Sequence, residues 1–111
     1  MKFKTLTEYL SHWNDTCPNK IWLRDLKESG SEDVTWGEAH RQISSMATLL
    51  EQKFGHSKRM VVLSQNCAHW ILADLAIITS GNITVSLFTT LPASTANYII
   101  DFTEANVFFI G

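Results

Sequence analysis

Three short apolar runs alternate with helical patterns through the second half of the chain, and this alternation restricts the possible folds more than any other feature. The runs "RMVVLS" (59–64), "ITVSLF" (83–88) and "NVFFI" (106–110) are rich in β-branched and aromatic residues, which favour strands. Helical patterns occupy 67–80 and 94–102 between them. Strands that alternate with helices predict a parallel sheet joined by right-handed crossovers. Because the strands are apolar on both faces, the sequence predicts a three-layer α/β/α arrangement with a mostly parallel sheet.

The first third of the chain predicts a helix followed by a hairpin. Thr5 and Glu8 form a capping box, in which a hydroxyl and a carboxylate satisfy free amides at a helix start. Helical spacing of apolar residues then predicts a helix over about 5–16. The segments "KIWLRDL" and "EDVTW" flank the polar stretch "KESGS", which predicts a short β-hairpin over about 20–36.

A second capping box, Thr35 with Glu38, begins the clearest helix of the chain. Gly55 supplies its stop signal. One apolar stripe runs along this helix and comprises Trp36, Ala39, Ile43, Met46, Ala47, Leu50 and Phe54. Such a stripe predicts a long amphipathic helix with one buried face.

Composition indicates a cytoplasmic globular domain. Of 111 residues, 45% are hydrophobic and 18% are charged, and the net charge of −2 includes no basic cluster. Nucleic-acid binding is not expected, because phosphate contacts require clustered cations. Cys17 and Cys67 lie fifty positions apart without metal-ligand spacing, which favours free thiols over a disulfide or a zinc site. The N-terminal segment has no apolar signal core and no run is long enough to span a membrane.

The stretch "NCAH" after the first apolar strand contains the residue types of a cysteine nucleophile with its base and orienter. Cys67 and His69 are two positions apart on the predicted helix, so their side chains point to different sides and cannot pair. We expect Asn66 to cap the helix, Cys67 to pack as a small hydrophobe and His69 to lie in the exposed first turn. A helix N-terminus lowers the pKa of a thiol, so a reactive Cys67 remains an alternative.

Other candidate residues favour structural roles. The five glycines form neither a dinucleotide fingerprint nor a phosphate-binding loop. Asp74, in an apolar helix, is either a functional carboxylate or, as we expect, a residue at a polar edge or beside a donor. Solvated imidazoles are expected for His12, His40 and His56. Packing between layers, rather than a lipid or sugar platform, is expected for Trp13, Trp22, Trp36 and Trp70.

Three segments together resemble the amino-terminal region of adenylate-forming (AMP-binding) enzymes, and among these the long-chain acyl-CoA synthetases. They are "VTWGEAHRQISSMATLL", "RMVVLSQNCAHWILADLAIITSGNITVSLF" and "NYIIDFTEANVFFIG". The shared pattern includes a Thr–aromatic–x–Glu helix start, a strand leading to Asn, and a small-residue helix that ends in Gly. The resemblance extends from about Lys4 to Gly111. Ser86 and Thr89 stand where the family often carries Pro.

The resemblance implies a parent enzyme that uses ATP and Mg²⁺ to convert a fatty acid to an acyl-adenylate and then transfers the acyl group to coenzyme A. It also implies that residues 1–111 are one α/β segment of a larger amino-terminal domain, with β/α units over about 36–111. The family's phosphate loop, ribose-binding Asp and catalytic Lys lie further along such a chain. No catalytic, cofactor-binding or metal-binding residue is therefore assigned here, and we expect the segment alone to bind none of these cofactors.

Three functions are compatible with the sequence. The leading hypothesis is the structural N-terminal portion of an ATP-dependent long-chain fatty acid–CoA ligase, whose partners are the remainder of the parent chain and a fatty acid. The parent is expected in the cytoplasm, or peripherally on a membrane. The alternatives are a stand-alone interaction or oligomerisation module and a small flavodoxin-like cofactor binder that uses the loops after Ser64 and Phe88. Because "NVFFI" is apolar on both faces, we also expect the segment to self-associate, for example as a homodimer.

Overall fold

The computed structural model describes residues 5–64, 67–105 and 107–110. Its elements, in chain order, are α1 (Leu6–Thr16), β1 (Ile21–Lys27), β2 (Gly30–Thr35), α2 (Trp36–Phe54), β3 (Arg59–Leu63), α3 (Ala68–Thr79), β4 (Ile83–Leu87), α4 (Ala93–Thr103) and β5 (Val107–Ile110). This is the order of helices and strands that the sequence predicts. Within the described ranges, no helix is both long and apolar enough to cross a membrane.

The second half of the chain forms the predicted parallel sheet, with β3 at its centre in the order β4-β3-β5. Met60, Val61 and Val62 are consecutive in β3 and all are buried. Because successive side chains of a strand point to opposite faces, both faces of the sheet are covered at β3. Met60 and Val62 join the main hydrophobic core with residues of α2 and α3, whereas Val61 faces the other side. The predicted mixed α/β fold with a parallel sheet and an N-terminal hairpin is therefore confirmed.

The predicted capping hydroxyls are confirmed at both helix starts. Thr5 Oγ1 accepts a hydrogen bond from the Glu8 amide, and Thr35 Oγ1 accepts one from the Glu38 amide, each at 3.1 Å. At the end of α2, Gly55 adopts a positive φ of 79° and donates its amide to the chain four residues earlier. A left-handed backbone of this kind favours glycine, so the stop signal acts as predicted.

The hairpin β1–β2 is antiparallel, as predicted, and its strands extend closer to the turn than predicted. Strand pairing continues to Lys27 opposite Gly30, so the turn is shorter than the predicted "KESGS" loop. Arg24 and Asp33 face each other in register and form an exposed ion pair, with 2.8 Å between Nε and Oδ1. The hydrogen bond from Arg24 lowers the pKa of Asp33 below its usual range. The pair therefore stabilises the fold at pH values above the ordinary pKa of an Asp. This contribution is lost as the pH falls through the lowered pKa of Asp33.

Both α4 and β5 carry large apolar side chains that are exposed. No residue of α4 is buried, and its Tyr98 and Phe102 stack on each other at 6.0 Å between ring centroids. Phe108 pairs in register with Val61, so Phe108 and Ile110 point to the same sheet face as Val61. We call the exposed side chains of Tyr98, Phe102, Phe108 and Ile110 the α4–β5 face.

Candidate functional site

The carboxyl edge of a parallel sheet is the usual place for a ligand in an open α/β fold. In this chain β3 ends at Leu63 and leads through Ser64 toward α3. A cleft of about 170 Å³ lies beside this edge, lined in part by Ser64, His69, Trp70 and Phe109. Ligand pockets usually measure about 300–1,000 Å³, so this cleft is too small for a nucleotide. The sheet edge therefore presents a surface rather than a closed site in the described residues.

A residue of the hairpin accepts a hydrogen bond from the first turn of the helix after β3. The predicted cap residue, Asn66, lies outside the described residues. The N-cap position is Cys67, whose side chain makes no capping hydrogen bond. Instead, the amide of Ala68 donates to both carboxylate oxygens of Asp25, at 2.9 and 3.1 Å. A carboxylate at a helix N-terminus is favourable because it meets free amides and the positive end of the helix dipole. Asp25 thus joins the hairpin to α3.

The structure does not bring Cys67 and His69 together as a catalytic pair. The Cys67 sulfur lies 3.8 Å from the Ser64 hydroxyl, and the His69 side chain is exposed, as predicted for the first turn. Both cysteines are free thiols, which agrees with the sequence. Cys67 is half-buried and lines a cleft of about 460 Å³ together with Leu23, Asp25 and Trp70.

Cys67 is expected to behave as a packing residue in a labelling experiment. In a Cys17→Ser background, a thiol reagent should modify Cys67 more slowly in the folded chain than in denaturant, because Cys67 is half-buried in the folded chain. The measurement is the labelling rate over a range of pH. A folded-state rate above the denatured rate, with an apparent pKa well below that of a free thiol, would support the reactive alternative.

Removal of the Asp25 cap is expected to destabilise the domain. Asp25→Ala leaves the Ala68 amide without its acceptor, and a lost N-cap typically lowers the free energy of unfolding by about 0.5–2 kcal/mol. Denaturant unfolding monitored by circular dichroism measures the change. Asp33→Ala is the matched control, since it removes a carboxylate of the same hairpin that is exposed and caps no helix. Equal stability of the two variants would show that the contact of Asp25 with α3 contributes nothing.

The remaining candidates have structural surroundings. His56 is exposed and lies 3.1 Å from Glu51, whereas His12 packs edge-on against Trp13 at 4.8 Å. Trp22 stacks on Trp36 at 4.4 Å with 10° between the ring planes. The predicted packing role of the tryptophans is confirmed for Trp13, Trp22 and Trp36, which join α1, β1 and α2, and Trp70 packs against the main core.

The arrangement of a hairpin, a long helix and a small parallel sheet is found in solved structures of adenylate-forming enzymes. The fatty acid AMP ligase from Legionella pneumophila superposes with a TM-score of 0.90 at 17% identity, over 98% of this chain and 20% of that one. The N-terminal subdomain of Klebsiella oxytoca NpsA superposes with a TM-score of 0.82 at 14% identity, over 97% of this chain and 28% of that one. The fold is therefore that of the amino-terminal domain of adenylate-forming enzymes.

Sequence comparison gives the family directly. Residues 10–110 match the family of AMP-binding enzymes. Over 93 residues the chain is 32% identical to the long-chain-fatty-acid–CoA ligase FadD15 of Mycobacterium bovis, which corresponds to 83% of this chain and 16% of that protein. The chain belongs to the AMP-binding enzyme family, as the resemblance predicts. It spans only a small part of the length of these relatives.

Proposed function

We propose that the chain is the structural N-terminal portion of an ATP-dependent long-chain fatty acid–CoA ligase. Such an enzyme joins a fatty acid to AMP with release of pyrophosphate and then exchanges AMP for coenzyme A. The observation that carries this proposal is the 32% identity to a long-chain-fatty-acid–CoA ligase over 83% of the chain. The superposition on a fatty acid AMP ligase supports the same fold. We expect the parent enzyme to act in the cytoplasm or at a membrane surface.

The role of the chain in this enzyme is to build and support a sheet rather than to carry out the reaction. Three parallel strands and the helices that cover them supply one part of the amino-terminal domain. In the parent enzyme, ATP would activate the carboxylate, Mg²⁺ would neutralise phosphate charge and coenzyme A would accept the acyl group. We assign no residue of this chain to the binding of any of them. No group of three His, Cys, Asp or Glu side chains in the described part of the chain has a geometry for a metal ion. Near α3, the Asp25 carboxylate would repel phosphate groups, and the nearby Arg24 is engaged by Asp33.

The proposal has a direct test in the gene. We expect the reading frame to continue beyond the codon for Gly111 into a Gly/Ser/Thr-rich segment that ends in Lys, the phosphate loop that the family resemblance implies. Transcript sequencing decides this. A stop codon directly after Gly111 would contradict the proposal and favour the stand-alone module.

A binding measurement tests separately whether the 111-residue chain contains nucleotide-binding residues. Calorimetric titration of the 111-residue chain with ATP and Mg²⁺ should give no single-site isotherm, because no phosphate-binding loop is present in its sequence. The same titration on a chain that includes the continuation should give one. Micromolar binding by the 111-residue chain itself would show that it contains nucleotide-binding residues that we have not assigned.

A second candidate function is self-association, and one observation favours it. Four large apolar side chains are exposed on the α4–β5 face, and Ile110 and Phe102 have 78% and 77% of their surface accessible. Large contiguous apolar patches are uncommon on soluble monomers and mark contact surfaces. We propose that this face contacts the remainder of the parent chain in the intact enzyme, and a second copy when the segment is alone.

A further inference from the structure

Asp74 is the one charged residue of α3, a helix that is otherwise almost entirely apolar. Its side chain is half-buried. The sequence predicts either a polar edge or a nearby donor, but no hydrogen bond or ion pair to Asp74 occurs within residues 5–64, 67–105 and 107–110. The carboxylate oxygens are not buried, so they are open to a partner that arrives from solvent. A carboxylate of this kind is complementary to a cation from outside the described chain.

The surroundings of Asp74 form a cleft rather than a flat surface. Its volume is about 330 Å³, which falls within the usual range for small-molecule sites. α1, β1, α2 and α3 all contribute to its walls, including Tyr9, Trp22, Trp36, Ile71 and Leu75. Among the described residues of this lining, Asp74 is the only charged one. The cleft thus combines aromatic rings, aliphatic walls and one negative charge.

The walls that carry the aromatic rings are held in place by packing. Trp36 is stacked between Trp22, at 4.4 Å, and Trp13, at 6.0 Å. Stacked rings of this kind cannot reorient independently, so their positions relative to α3 are fixed before any ligand arrives. Tyr9 of the lining is 43% exposed, so the cleft is accessible to solvent on the side of α1.

We infer that this cleft binds a small organic cation, an amine or quaternary ammonium that carries an apolar body. The ammonium would pair with the Asp74 carboxylate and lie near the faces of the aromatic rings, which attract cations through their quadrupoles. The apolar body would contact the Ile71 and Leu75 walls. A neutral apolar ligand fits less well, because it would remove water from the carboxylate without replacing it. The inference is independent of the proposed ligase function and concerns a different region from the carboxyl edge of the sheet.

A matched pair of probes tests this inference on the 111-residue chain. 2-Phenylethylammonium and 2-phenylethanol have nearly the same size and shape and differ in charge. Binding is measured by tryptophan fluorescence and by shifts of backbone amide signals in two-dimensional NMR. We expect the cation to bind about tenfold more tightly than the alcohol, with the largest shifts in α1 and α3.

Two variants locate the charge that is responsible. Asp74→Asn keeps the shape of the side chain and removes its charge. This variant should bind the cation and the alcohol with about equal affinity. Asp101→Asn removes an exposed carboxylate of α4, outside the cleft, and should retain the preference. Equal affinity of the wild-type chain for the two probes would overturn the inference, and this comparison does not depend on any variant folding. A preference that persists in Asp74→Asn, or shifts outside the cleft, would also overturn it.

Discussion

Replacement of Trp36 with Ala is expected to lower the free energy of unfolding by about 3 kcal/mol, the lower end of the range of about 3–5 kcal/mol for a buried aromatic side chain, because Trp36 is only half-buried. Trp36 begins α2 and stacks on Trp22 of the hairpin and on Trp13 of α1. Its removal therefore opens a gap where three elements meet, and each lost aromatic pair adds about 0.5–1.5 kcal/mol to the effect of lost area. Denaturant unfolding monitored by circular dichroism gives the change in free energy.

The neighbouring cap provides the control for this experiment. Thr35→Ala removes only the hydroxyl that accepts the Glu38 amide, so its expected effect is about 1 kcal/mol. Trp36→Phe should fall between these two values, since it retains one aromatic ring. A larger effect for Thr35→Ala than for Trp36→Ala would mean that the stack contributes little to the folded state.

The parts of the fold that follow from local periodicity could be predicted from the sequence. Strands and helices have different spacings of apolar residues, and the two Thr–x–x–Glu patterns mark helix starts within a few residues. The alternation of these elements then favours parallel strands, because a helix between two strands returns the chain to the end of the sheet at which the first strand began. For this reason the sheet was predictable although its strand order was not.

Contacts between distant segments could not be predicted in this way. Asp25 binds the amide of a residue 43 positions later, and nothing in the sequence near either residue indicates the other. Asn82 is a second example, because its buried side chain binds the Lys58 amide, the Gly55 carbonyl and the Ser80 hydroxyl. Both residues satisfy backbone groups at the ends of elements, and a side chain from anywhere in the chain can do so once the fold brings it near.

The cleft around Asp74 could not be predicted from the sequence either. Its rings and its carboxylate come from four elements, so no motif of fixed spacing contains them. The sequence identified Asp74 as unusual because it interrupts an apolar helix. Only the structure shows that aromatic side chains, rather than a donor, surround it. The hydropathy pattern of α3 thus identified Asp74, and the packing of α1 against α3 determined the environment of this residue.

The second large effect is expected in the state of association of the chain. β5 is an edge strand, so one side of it presents unpaired amides and carbonyls that can pair with another strand. Phe108 and Ile110 lie on one face of β5 and are 48% and 78% exposed. Antiparallel pairing of β5 with its copy would follow a two-fold axis and place these side chains on the same face of a continuous six-stranded sheet. We therefore expect a dimer that forms as the concentration of the chain rises.

Analytical ultracentrifugation over a wide concentration range, together with binding of a hydrophobic dye, tests this expectation. The sedimentation coefficient of the wild-type chain should increase with concentration. Phe108→Lys should give a monomer over the same range, because a charge on an edge strand prevents pairing and would be buried without a partner in the dimer. Leu49→Lys is the matched control, since Leu49 has a similar exposure of 53% but lies on α2. If the wild-type chain stays monomeric and binds no dye, the α4–β5 face is not a contact surface; if both Lys variants dissociate the dimer, the contact does not lie specifically at β5.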